Sequence, residues 1–300
     1  MITLANVRKT FGAVVALDAV TLSIGAGERV AFVGSNGSGK TTLLRALLGL
    51  VRVEGKVSIG GSDVAREPEL ALRTVAYIPQ IAPPIEASVA EVVRAQAMLR
   101  GKTVDATYVR ARRLGLDVDG SRSKRFRDLS GGMKQKLLAA MALAAEAPIL
   151  VCDEPTANLD GEARAAFFEQ LAERPSSSVV VLCSHRIEEV QRLVERVVEL
   201  QDGLVLRDAP LAEVLRDLAA FRVEVAFREG ALDLETMLRA RGFVAAGECR
   251  LVAEVAQHEK LELVTRLLGE HGTSITDLSI VPVEELVRTA RKSRHLSVAS

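Results

Sequence analysis

The chain has 300 residues, with 39 Lys and Arg balanced by 39 Asp and Glu, so its formal net charge is zero. That balance argues against a dedicated nucleic-acid binder, which carries a basic surplus. A content of 48% hydrophobic and 26% charged residues excludes a disordered chain and allows one large or two moderate domains.

No window reaches the roughly 18 consecutive apolar residues of a membrane-spanning helix. The amino terminus, Met1-Ile2-Thr3-Leu4, lacks the basic region and apolar stretch of a signal peptide. Cys152, Cys183 and Cys249 are too few and too scattered for a disulfide framework or a zinc site, and read as buried reduced thiols. A cytoplasmic chain is expected.

Short apolar runs predict strands at Ile2–Val7, Val20–Ile24 and Arg29–Val33, with Gly25-Ala26-Gly27 as a turn. After Pro83-Pro84 the period becomes helical from residue 88 to about 116, with Val89, Val92, Val93, Ala97 and Leu99 on one side. Strands Ile149–Cys152 and Val179–Cys183 flank a helix from Gly161 to Glu173, and such alternation implies a parallel sheet covered by helices. Asp202-Gly203 marks a hairpin joining Arg196–Leu200 to Leu204–Leu206. Pro210 then opens a connecting helix to about Ala219. The tail reads strand, helix, strand, strand, helix, strand from Phe221 to Val281, the order of a split β-α-β, ferredoxin-like unit. A last amphipathic helix, Val283 to about Arg291, follows Pro282.

The segment Gly34-Ser35-Asn36-Gly37-Ser38-Gly39-Lys40-Thr41 satisfies the phosphate-loop pattern G-x-x-x-x-G-K-[ST] between an apolar strand and a helix-forming run. Its glycines let backbone N–H groups turn inward around phosphates at the positive end of that helix. Lys40 neutralises phosphate oxygens, Thr41 places a hydroxyl on Mg²⁺, and Thr42 continues the binding turn. Ile149-Leu150-Val151-Cys152-Asp153-Glu154 delivers two carboxylates to the C-terminal edge of a buried strand. Asp153 is the expected group for Mg²⁺, held directly or through water, and Glu154 would take a proton from, or orient, the attacking water. His185 follows another strand end, Val179 to Ser184, which points to the same sheet edge and favours a γ-phosphate contact.

Leu129-Ser130-Gly131-Gly132-Met133, lying between those two motifs, resembles the LSGGQ signature of ABC ATPases. Phe11 before Gly12 resembles the adenine-stacking aromatic, Gln80 in Tyr77-Ile78-Pro79-Gln80 the Q-loop, Asn158-Leu159-Asp160 the D-loop, and His185 the switch histidine. Met133 stands where the family usually has Gln, and Phe11 where Tyr is commoner. Seven motifs in family order cover residues 1 to about 215.

The resemblance implies an α/β fold. A P-loop ABC ATPase domain over residues 1–215 would have a mostly parallel sheet core, an antiparallel N-terminal β subdomain and a helical subdomain at about 81–145. A smaller ferredoxin-like α+β accessory domain would occupy 216–300. It implies ATP hydrolysis with ATP and Mg²⁺, the metal held by Thr41, Asp153 and Gln80. The catalytic group would then be Glu154, His185 and Gln80. ATP binding would fall to Phe11, residues 34–42, Ser130, Gly131, Gly132 and Asp160. In this family the signature glycines face the phosphate held by a partner, which implies a second copy or a paired ATPase subunit. A separate transmembrane permease is the other implied partner, so the chain would sit peripherally on the inner face of the cell membrane.

The helical region 81–128 is the expected docking face for the permease. Its Arg110, Arg112, Arg113, Arg122, Lys124, Arg125 and Arg127 form either a solvated face or a contact for anionic headgroups. The tail Ser279-Ile280-Val281-Pro282-Val283-Glu284-Glu285-Leu286 resembles the ending of ABC-2 and drug-resistance exporter ATPases. The alternatives are a methionine-type importer ATPase with a ligand-binding regulatory domain, or a non-transport ABC ATPase.

Overall fold

A computed structural model describes residues 1–184, 191–218 and 220–283. The chain divides into two compact units, Met1–Leu211 and Ala212–Ser300, so the division falls four residues before the expected 215/216 boundary.

The first unit is built on a six-stranded sheet. Strands β3 (Arg29–Val33), β6 (Val75–Ile78), β7 (Ile149–Asp153), β8 (Val179–Cys183) and β9 (Arg196–Gln201) run parallel, and β10 (Leu204–Pro210) joins antiparallel at one edge. The order is β10-β9-β3-β8-β7-β6. Every residue of β7 and β8 is buried, as continuous apolar runs in a parallel sheet require. The β9–β10 turn places Asp202 and Gly203 at positive φ, matching the twist of a two-residue hairpin. Register decides where function can sit. Phe32 pairs with Cys183, Asp153 with Cys183, and Ile78 with Cys152, so four strands end level at one sheet edge.

A second sheet, ordered β2-β1-β4-β5, holds β1 (Ile2–Phe11), β2 (Val14–Ile24), β4 (Glu54–Ile59) and β5 (Ser62–Asp63). Its first two strands run well past the expected Val7 and begin well before Val20. They form one long hairpin about Gly12, whose φ is 59°. Register shifts near Asn6 and Ala19, both at φ 50°, break the two-residue alternation. That is why residues 8–19 do not read as strand.

Among the described residues, six α-helices complete this unit: α1 (Lys40–Leu47), α2 (Pro68–Leu72), α3 (Val89–Arg100), α4 (Val104–Arg113), α5 (Gly131–Ala144) and α6 (Gly161–Ala172). The expected single helical stretch from 88 to 116 is two helices. Gly101 takes the left-handed conformation that ends α3, and the Thr103 hydroxyl caps α4. Val89, Val93 and Ala97 form the buried stripe of α3, whereas Leu99 is 84% exposed and leaves the expected face. Ser88 and Glu91 close a reciprocal capping box at its start.

The arginine cluster is paired within the chain. Arg110 and Arg113 meet Glu173, Arg125 and Arg127 meet Glu86, and Arg112 and Arg122 meet Asp119. This pairing favours the solvated face over a dedicated anion-binding patch.

The second unit begins with α7 (Leu211–Leu218), whose first residue ends the first unit. It continues as β11 (Ala220–Phe227), α8 (Leu232–Ala240), β12 (Val244–Gly247), β13 (Arg250–Ala256), α9 (Gln257–His271) and β14 (Ile275–Pro282). The antiparallel order β12-β13-β11-β14 is that of the split β-α-β unit, and Val223, Val225, Leu234, Leu238, Leu251 and Leu267 form its separate core. The expected helix from Val283 lies outside the described residues from 284 onward. Cys152 and Cys183 are buried as expected, but Cys249 is only half-buried.

Removing the Ser88 cap by Ser88→Ala should cost about 1 kcal/mol. A lowered urea midpoint with an unchanged slope is the expected result; an unchanged midpoint would refute the cap's contribution.

Candidate functional site: a phosphate-binding sheet edge

The loop after β3 is shaped by glycine. Gly34, Gly37 and Gly39 have φ of 152°, 85° and 105°, a region that side chains avoid. A Cβ at Gly34 would lie 2.3 Å from the Leu200 carbonyl oxygen, and one at Gly39 would lie 2.6 Å from that of Ala16. The loop is therefore pressed against β9 and β2, and its backbone has nowhere to relax. Helices α3, α4, α5 and α6 are each capped by a side chain, but α1 starts at Gly39 with none. Its first N–H groups, at the positive end of the helix, are the ones an anion would satisfy. Ser38 Oγ is buried and has no hydrogen-bond partner among the described residues, a second polar group an anion could satisfy. The Lys40 ammonium folds back across the loop and donates to the Gly34 and Ser35 carbonyls at 2.8 and 2.9 Å. Ser35 and Asn36 lie within this loop, and Thr42 lies in the first turn of α1.

Asp153 ends β7 at 1% exposure, and its Oδ1 accepts a hydrogen bond from Thr41 Oγ1 at 3.2 Å. Burial raises its carboxyl above the ordinary range, opposed by the Thr41 bond. A hydroxyl and a carboxylate side by side are hard oxygen donors, the set that suits Mg²⁺. Tyr77 lies near this carboxylate, and burial followed by the Asp153 charge pushes its phenol up to about 12.

Glu154 follows at φ 44°, a left-handed conformation that costs a non-glycine residue about 1 kcal/mol or more. Its N–H donates to Cys183 O at 3.1 Å, which holds the turn against β8. Strain of this kind is retained where the surroundings over-determine it. Gln80 lies two residues past the end of β6, the strand beside β7. His185 lies outside the described residues. Phe11 stands half-exposed near the hairpin tip, with Lys9 Nζ 4.9 Å from its ring centroid, and the same hairpin touches the phosphate loop through Ala16.

The sheet edge thus gathers residues 34–42, Gln80, Asp153 and Glu154. It does not gather the signature residues. Ser130 caps α5 by accepting from Met133 N at 3.2 Å, and Ser130 and Gly131 are exposed. No hydrogen bond or ion pair among the described residues joins 130–132 to 34–42. Asp160, expected at the nucleotide, has both oxygens engaged inside the chain. Oδ1 caps α6 through Ala163 N at 2.8 Å, and Oδ2 pairs with Lys136 Nζ at 2.9 Å. These contacts hold its carboxyl below the ordinary range.

Tyr77, Gln135 and Lys136 are neighbours of the site that sequence reasoning missed. The available signal was polarity. Gln135 sits in α5, where Leu137–Ala140 and Ala142–Ala144 are all buried, so its amide needs internal partners.

A glycine-rich loop, a strand-end carboxylate and a signature helix define a P-loop nucleotide-hydrolysing domain. Comparison with known proteins narrows the class. The family "ABC transporter" matches residues 17–157. The Nod factor export ATP-binding protein I of Rhizobium sp. (strain N33) is 30% identical, covering 79% of this chain and 80% of its own length. The phosphonates import ATP-binding protein PhnC 1 of Cupriavidus metallidurans is 33% identical, covering 68% and 81%. A dimeric, post-hydrolysis structure of the cassette MJ0796 bound to ADP and Pi superimposes with a TM-score of 0.63 at 27% identity, covering 70% of this chain and 99% of that one. The chain belongs to the ABC transporter ATP-binding proteins, and it is an ATP-hydrolysing subunit of a transporter.

Lys40→Ala removes the loop's ammonium and should weaken ATP binding about tenfold or more, since charge-assisted hydrogen bonds contribute roughly 1.5–3 kcal/mol. Titration calorimetry with unchanged ATP affinity would contradict the clamp.

Proposed function

We propose that two such subunits close around ATP, the phosphate loop of each facing the signature helix of the other, and so drive a separate membrane permease. The observation that carries this reading is the exposed start of α5. Ser130 and Gly131 present a helix N-terminus to solvent and make no bond to the chain's own phosphate loop. The partner is a second copy or a paired ATPase.

Within each composite site, residues 34–42 bind the triphosphate and Phe11 stacks on the base. Thr41, Asp153 and Gln80 would hold Mg²⁺, which when bound neutralises charge on the phosphate oxygens. Glu154 accepts the proton of the attacking water at its carboxylate, and His185 contacts the γ-phosphate. ATP favours the closed pair because it binds that state better, and hydrolysis to ADP and phosphate removes the bias.

For direction we propose export. The Rhizobium exporter-subunit relative matches 79% of the chain, whereas the importer-subunit relatives match 68–72%. A gene for an extracytoplasmic binding protein beside this one would overturn that direction; a permease gene alone supports it. Attachment through the permease would place the chain on the inner face of the membrane.

Glu154→Gln should lower turnover by about a hundredfold or more while leaving ATP binding intact. Light scattering should then show an ATP-dependent dimer. Turnover near wild type, or loss of turnover with no dimer, would refute the base assignment.

A further inference from the structure

Helix α5 carries a buried amide that touches both the loop following the metal-facing carboxylate and the loop leaving the neighbouring strand. Gln135 is 2% exposed, and its Nε2 donates to the Pro155 carbonyl at 3.1 Å and to the Pro79 carbonyl at 3.4 Å. Both partners are acceptors, so only the NH₂ end of the amide can face them. Pro155 directly follows Glu154, and Pro79 directly precedes Gln80. One side chain therefore spans two loops that leave neighbouring strands, β6 and β7.

We infer that Gln135 is a positioning residue for hydrolysis, tying the signature helix to the backbone that aims Glu154 and Gln80. The mechanics follow from proline. Its ring fixes φ near −65°, which removes one of the two soft torsions between the pinned Pro155 carbonyl and the peptide joining it to Glu154. Glu154 is held from the other side by its own N–H on Cys183 O. The strained φ of 44° at Glu154 is thus clamped at both ends. The next residue of α5 extends the tie, since Lys136 pairs with Asp160. Gly132 fits the same seam, because a Cβ there would lie 3.0 Å from the Asn158 carbonyl oxygen. When a partner's nucleotide engages the start of α5, displacement of that helix is carried by Gln135 to the hydrolytic groups of its own chain.

This inference rests on the reading of Glu154 and Gln80 as hydrolytic groups. The test is steady-state ATPase kinetics of Gln135→Met, which keeps length and removes the donor, and of Gln135→Asn, which keeps the amide on a shorter arm. Glu154→Gln is measured beside them, with thermal unfolding of every protein. The expected result is a kcat lowered about tenfold to a hundredfold in Gln135→Met, as angstrom-scale misplacement produces. Gln135→Asn should fall between it and wild type, with KM for ATP within twofold throughout. A folded Gln135→Met with wild-type kcat, or a loss carried by KM, overturns the inference. If Gln135→Met does not fold, Gln135→Asn decides: lowered kcat at constant KM supports the role, and wild-type kcat overturns it. Loss of the fold in both assigns Gln135 to stability alone and overturns the role as well. Turnover retained by Glu154→Gln overturns the underlying reading and the inference with it. Turnover lost there but unchanged in Gln135→Met overturns the inference alone.

Discussion

Parallel register at one sheet edge is the constraint on which the site depends. Strands β3, β8, β7 and β6 run the same way and end level, so every loop leaving them emerges together. Because β7 and β8 are buried throughout, polar chemistry cannot begin until the strands stop. Asp153 marks that limit as the last residue of β7, where Thr41 reaches it across the sheet edge. A slip in the β3–β8 or β8–β7 register would part that hydroxyl and carboxylate while leaving each local motif unchanged.

The phosphate loop needs little net charge to do its work. Its binding capacity lies in backbone N–H groups, three glycines at positive φ, and one ammonium. A neutral chain is compatible with such a site, because the attraction is local and directional. The signature helix has the complementary form: a capped, exposed N-terminus whose buried flank is tied to the loops of its own hydrolytic edge. On the proposed reading each chain offers two half-sites, joined through the interior by α5.

Much of this was legible in the sequence because buried strands are followed directly by chemical residues, as in Val30–Lys40 and Ile149–Glu154. Periodicity served less well where geometry departs from repetition. Bulges at Asn6 and Ala19 hid the long hairpin, and a left-handed Gly101 divided a stretch that reads as one helix. Asp160 lies in a family motif, yet capping and a lysine partner occupy its carboxylate, a use of the residue that motif order does not encode. Gln135 escaped notice for a different reason. Its meaning depends on two carbonyls 56 and 20 residues away in the chain, which only the packing of α5 brings to one amide.

The composite site is tested most directly by mixing two inactive variants, Lys40→Ala and Gly131→Asp. A Cβ at Gly131 meets nothing within 4 Å among the described residues, so the second change is aimed at a facing nucleotide rather than at the fold. A mixed dimer places the intact phosphate loop of one variant against the intact signature helix of the other. ATPase activity that reappears on mixing, and rises with the proportion of mixed dimers, is the predicted result. A mixture no more active than its two components would contradict a site shared between chains.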